Sequence, residues 1–311
     1  MEPNLRMRAD GTFTIVHFTD LHWQNGEKGD LRTRRLMADV LEAEKPDFVA
    51  LTGDLIFGSR CRDPAESLRQ AMAAVEQAGV PWAAVFGNHD DEGALGRAEL
   101  MDVLRERPRC LSLSGPSDVD GIGNFALTLT NSRGMASHSL VFLDSGGRSS
   151  EDSLPGYDWI RPSQIEWYRR ISRERADRNR GAALPSLLFF HIPFPEFEQV
   201  WKTQACYGTR NEKPACPPVN SGLYAALLER GGTLGVFCGH DHTNDYWGEL
   251  GGIRLCYGRA TGFQGYGKIG FPRGARVIRL QEGKAGFETW VRLENGSTIR
   301  KPKLHRPRRW P

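Results

Sequence analysis

Eight side chains able to bind a metal ion or move a proton stand just after apolar runs in this 311-residue sequence. Asp20 and His22 follow residues 13–18, and Asp54 follows 47–52. Asn88 and His89 follow 82–86, His191 follows 187–190, and His240 and His242 follow 234–238. Short apolar runs of this kind read as buried strands, and sites in open α/β sheets collect at the carboxyl ends of strands. Any one block alone, such as Gly87-Asn88-His89-Asp90, would pass for a structural loop with a capping asparagine. Together they do not, because five of the eight histidines fall in these places. Carboxylates are hard oxygen donors, asparagine offers a neutral oxygen, and imidazole gives or takes a proton near neutrality. With no thiolate in the set, it suits two divalent or mixed-valence ions of Mn, Fe, Zn or similar metals rather than a structural zinc.

The elements between these runs must bring the strand ends together. Apolar spacing predicts helices at 31–44, 64–77 and from Glu99 to the stop at Pro108. Asp63 and Glu66 form a capping box around Pro64, and Gly79 suits the far end. Strand and helix thus alternate through the first half, as in a parallel sheet. Residues 124–130 and 138–143 read as a strand pair, and Ile165, Tyr168 and Ile171 mark a helix that opens near Ser163. A Pro-rich stretch at 192–219 reads as a long loop before a helix at 221–229. Residues 246–257, 275–281 and 287–293 read as antiparallel strands. With no linker or short repeat, the chain reads as a single domain over 1–311, its core at 12–297 and a basic tail at 298–311.

Composition narrows the class further. Hydrophobic residues at 39% and charged residues at 25% describe a globular protein with a substantial core. No run approaches the roughly 18 apolar residues of a membrane helix. The first 11 residues hold no apolar signal core, so the expected compartment is cytoplasmic. The six cysteines form no Cys-x-x-Cys pair and read as reduced thiols, although Cys206 and Cys216 share one loop and could bridge under oxidising conditions. Residues 300–309 carry six Lys/Arg and no acid, which leaves the body mildly acidic. Such a tail can touch nucleic acid or anionic lipid, but the plainer reading is a loosely packed, solvated end.

The blocks Asp20-x-His22, Gly53-Asp54, Gly87-Asn88-His89-Asp90, His191 and Gly239-His240-x-His242 resemble, in this order, the motifs of the calcineurin-like metallophosphoesterases. The resemblance implies a four-layer α/β (α+β) sandwich, with two central mixed β-sheets between helices and a two-metal site at the sheet mouth. Asp20, His22 and His242 would bind one ion, Asn88, His191 and His240 the other, and Asp54 both. His89 would act on the substrate or its leaving group, with Asp90 orienting the imidazole. Purple acid phosphatases place a tyrosine three residues after the bridging aspartate. Here that residue is Phe57, which argues against a tyrosinate-bound iron. Residues 156–160, 191–196, 219–222 and 239–245 look like a narrower branch, which includes plant purple-acid-phosphatase-like proteins of the non-purple kind and a yeast cell-cycle phosphatase.

The implied activity is metal-dependent hydrolysis of phosphoric esters, with a metal-bridging hydroxide attacking phosphorus in line with the leaving group. Monoesters are the first expectation, and diesters such as cyclic nucleotides or nucleic acid the second. A non-catalytic scaffold of the same fold is a remote third, since such scaffolds lose ligands that are all present here. For substrate contacts the candidates are Asn88, His89, Trp23 and Asn220. Phe194, Phe197, Trp201 and Tyr207 either rim the pocket or simply pack the loop, packing being the plainer reading.

Overall fold

The computed structural model describes residues 5–307. Within them, two sheets pack face to face. The first has six strands in the order Thr298–Ile299, Glu288–Leu293, Gly274–Gln281, Thr12–Phe18, Phe48–Thr52, Trp82–Val85. Its last three run parallel, while Gly274–Gln281 pairs antiparallel with Thr12–Phe18. The second has nine, in the order Leu5–Arg6, Phe125–Thr130, Ala136–Phe142, Ser186–Phe189, Thr233–Cys238, Ile253–Tyr257, Trp247–Leu250, Cys206–Tyr207, Leu304–His305. Its centre, from Ala136–Phe142 to Ile253–Tyr257, is parallel. Both sheets are therefore mixed, as the α/β sandwich requires.

Continuous apolar runs arise because the central strands are covered on both faces. Along Thr12–Phe18, Phe13 and Ile15 point at the opposite sheet, while Val16 and Phe18 point at helices. The first sheet's outer face is covered by Lys28–Glu44, Pro64–Ala71, Ala73–Gln77 and Arg97–Arg105, through Leu36, Leu68, Val75 and Leu100. The second is covered by Pro162–Arg178 and Leu223–Arg230, through Ile165, Tyr168 and Leu227. Between the sheets, Phe125, Phe142, Phe189 and Phe237 stack strand to strand with centroids 4.7, 5.0 and 5.2 Å apart. These pairs lock the register that aligns the strand ends.

Two expectations about the chain ends and one loop need revision. The stretch 192–219 is not plain loop, because it contains the helix Glu196–Thr203 and the edge strand Cys206–Tyr207. Pro195 caps that helix, so the proline that suggested a loop marks a helix start. The basic tail is ordered as far as it is described: Thr298–Ile299 extends one sheet and Leu304–His305 the other. Arg308 and Arg309 lie outside the described residues. No helix among the described residues is long and apolar enough to cross a membrane.

Candidate metal centre

The five strands that carry donors, Thr12–Phe18, Phe48–Thr52, Trp82–Val85, Ser186–Phe189 and Thr233–Cys238, all release their chain at one edge of the sandwich. Four donors adopt left-handed backbone there: Asp20 (φ 56°), His22 (49°), Asp54 (49°) and His240 (76°). Residues other than glycine rarely occupy this region, at a cost of about 1–3 kcal/mol each, so the surrounding fold must hold them there. Gly87 is required by the same crowding, since a Cβ on it would lie in the Asp54 carboxylate. Arg97 braces the turn from outside by donating Nη2–H to the Gly87 carbonyl at 2.8 Å and pairing with Asp144, just beyond a strand of the second sheet.

The donors converge as two groups that share one carboxylate. Asp20, His22, Asp54 and His242 place donor atoms within 4.8 Å of one another, and so do Asp54, His191 and His240. Asp54 Oδ2 is 3.4 Å from His22 Nε2 and 3.2 Å from His191 Nε2. Its other oxygen accepts the His89 backbone N–H at 2.8 Å, which fixes the carboxylate's orientation. Asn88 Oδ1 lies 3.2 Å from His191 Nε2 and so joins the second group. Asp20 accepts the backbone N–H of His240 and lies 3.4 Å from His242 Nε2.

Partners behind the imidazoles set which nitrogen faces the centre. His191 Nδ1–H donates to the Thr52 carbonyl at 2.7 Å and His242 Nδ1–H to the Tyr266 carbonyl at 2.9 Å, so both turn Nε2 inward. His22 Nε2 and His242 Nε2 meet at 2.9 Å, while His22 Nδ1 and His240 Nε2 are buried with no hydrogen-bond partner among the described residues. Burial pushes His22 and His240 down to about 3, so both are neutral bases at pH 7. Burial also opposes charge on His191 and Asp54, yet their mutual attraction wins. It lifts His191 to about 9 and holds Asp54 well below the usual carboxylate range. Two buried carboxylates facing converging imidazole nitrogens form a donor set that cations satisfy, each displacing protons as it binds. The residues therefore fit a pair of metal ions.

Above the centre lies a cleft of about 340 Å³ lined by His89, Phe57, Tyr157, Arg60, Lys213 and Tyr266, among others. His89 reaches it as expected, but its ring partner is not Asp90. The Asp90 carboxylate turns back to accept the N–H of Gly87 at 2.6 Å and of Ile56 at 2.9 Å, closing the turn that carries Asn88. Glu92 meets the imidazole instead, with Oε2 2.8 Å from Nδ1. Trp23 is buried in the helix-facing core, its indole N–H directed at Gln70, and does not line the cleft. Asn220 donates to Glu196 and lines a separate, smaller cavity.

Phe194 and Phe197 are core, and Trp201 and Tyr207 pack on His305 and Trp247. Cys206 is buried, and all six cysteines are free. The aromatic walls come from positions outside the five donor blocks. Phe57 packs on His22 and His89, Tyr157 meets His240 edge-on, and Tyr266 lies flat on His242 at 4.1 Å. One signal for Tyr266 was present in the sequence: the glycine-rich run 262–270, where a Cβ on Gly265 would strike His242.

The sequence model described as calcineurin-like phosphoesterase matches residues 13–244. A protein of Arabidopsis thaliana named probable inactive purple acid phosphatase 29 is 37% identical, over 94% of this chain and 85% of its own length. The phosphatase DCR2 of Saccharomyces cerevisiae is 34% identical over 94% of this chain, but only 55% of DCR2 is covered. Among solved structures, a dimetal phosphatase from Danio rerio shares the fold with a TM-score of 0.59 at 16% identity, covering 89% of this chain and 98% of that one.

Proposed function

We propose that this chain, which belongs to the calcineurin-like phosphoesterase family, hydrolyses phosphoric monoesters at a centre of two metal ions. Asp20, His22 and His242 would hold one ion, Asn88, His191 and His240 the other, and Asp54 both. The observation that carries this reading is the position of Asp54 Oδ2, within 3.4 Å of an imidazole nitrogen from each group. When bound, such ions supply Lewis acidity toward phosphoryl oxygens and make water acidic enough to ionise near neutral pH.

The chain's own groups do the rest. His89 has Nδ1 engaged by Glu92, so Nε2 is the nitrogen free to act in the cleft. In its protonated form it gives that proton to the oxygen of the departing alcohol, in a displacement in line with the attacking water. The Asn88 carboxamide, with Oδ1 turned to His191, has Nδ2–H to offer a phosphoryl oxygen. Asp90 positions both residues through the backbone rather than touching the substrate. The word inactive belongs to the Arabidopsis relative's name; in this chain every donor of both groups is present and buried.

The test compares p-nitrophenyl phosphate with bis(p-nitrophenyl) phosphate after the protein is stripped and reloaded with Mn, Zn, Fe, Co or Ni. The reading expects metal-dependent turnover with the monoester the better substrate. Faster cleavage of the diester would replace it with a phosphodiesterase, and no turnover with any metal in folded protein would replace it with a scaffold.

A further inference from the structure

The cleft carries cations that the metal centre does not use. Arg60 and Lys213 both line it and both are exposed. Among the described residues, neither side chain has a carboxylate or hydrogen-bond partner. The Arg60 guanidinium sits 4.4 Å above the Phe57 ring, and on another wall the Arg148 guanidinium sits 4.8 Å from Tyr157. The nearby acids are already engaged. Glu92 Oε2 accepts from His89 and Ser59, and Glu212 accepts from Tyr266 and Thr243. Asp241 accepts from Tyr257.

Aromatic walls could serve to stack an aryl leaving group or to hold cations in place. Phe57 packs against the imidazoles of His22 and His89, and the Arg60 guanidinium sits over its ring, where an aryl group would otherwise stack. Cation–π contact instead holds the guanidinium at the rim and lowers the ordering cost of using it. We propose that the substrate carries a second anionic group, a phosphate or carboxylate a few atoms from the scissile phosphoryl, and that Arg60 and Lys213 bind it. The cleft is near the small end of ligand sites, which favours a small polyanionic monoester over a polymer. This rests on the ester-hydrolase reading and adds a substrate class to it.

The test uses two ligand pairs that differ by one anion. Turnover is compared for propane-1,3-diol monophosphate and bisphosphate with the Mn-loaded protein. Binding of propylphosphonate and propane-1,3-bisphosphonate, which cannot be hydrolysed, is measured by calorimetry. The expected advantage of the second anion is about fivefold to tenfold in KM and in Kd, shrinking with added salt. The double variant Arg60→Gln/Lys213→Gln should bring both ratios close to one. A bisphosphonate preference without turnover would uphold the anion site while sinking the hydrolase. Turnover of both esters with equal KM, or a preference that survives the double variant, would overturn the anion site and leave the hydrolase standing.

Discussion

Glu92 Oε2 lies 2.8 Å from His89 Nδ1, and the Ser59 hydroxyl donates to the same oxygen at 3.0 Å. The imidazole is thereby fixed in rotation over the metal centre, with one nitrogen committed and the other free. A carboxylate in this place holds His89 in one orientation, the one that the proposed proton transfer to a leaving oxygen would use. Glu92→Gln should lower kcat by about tenfold or more with little change in KM, since general acid catalysis contributes about 10²–10⁴-fold and orientation is part of it. Steady-state kinetics with metal analysis checks this: bound metal should be unchanged, and Asp90→Asn should instead lower metal content by loosening the turn.

Tyr266 wraps His242 with its ring, its carbonyl and its hydroxyl, which also ties to Glu212 at 2.9 Å. Replacing it by alanine keeps the carbonyl but frees the imidazole to rotate. Loss of such a supporting partner weakens metal binding by about 10–100-fold. Chelator competition on Tyr266→Ala should read that weakening at one of two sites, with Tyr266→Phe falling in between.

Gly87 packs on Asp54 with no room for a methyl group. Gly87→Ala must push the shared carboxylate aside, and displacements near 1 Å at a reacting centre can cost about 10²-fold. Activity should fall by about that factor, while the far-ultraviolet circular dichroism stays that of the parent.

His138, in the strand Ala136–Phe142, is pushed down to about 4 by burial, with Ser137 its hydrogen-bond partner at 2.8 Å. Its folded value lies below the unfolded one near 6.5, so the unfolded chain takes up the proton first as pH falls. The neutral ring's contribution is complete above pH 6.5 and is lost progressively toward pH 4. Between pH 7 and pH 5 this removes about 2 kcal/mol of stability. Denaturant melts of His138→Gln at the two pH values should show that much less acid sensitivity than the parent.

Much of this molecule is legible in its sequence because the chemistry sits in short blocks at strand ends. Two-face burial makes each strand a continuous apolar run, and the parallel order sends Asp20, Asp54, Asn88, His191 and His240 to one edge. What was not legible depends on how a turn folds or what crosses from afar. Asp90 and Glu92 are both acids near His89, and only the turn, which spends Asp90 on Gly87 and Ile56, tells them apart. Trp23 adjoins His22 in sequence but points into the helical layer, opposite to its neighbour. Tyr266 and Lys213 reach the cleft from separate segments, Tyr266 marked only by the glycines around it and Lys213 by no local spacing at all. The helix Glu196–Thr203 was hidden by the prolines that start it.

One carboxylate, Asp54, is proposed to serve two metal ions whose joint presence hydrolyses phosphoric esters. The most direct measurement pairs metal stoichiometry with p-nitrophenyl phosphate turnover in the parent and in Asp54→Asn. Two ions per chain are expected in the parent. The variant should bind one or none, with kcat lower by at least about 10³-fold. A variant that keeps both ions and comparable turnover would contradict the account.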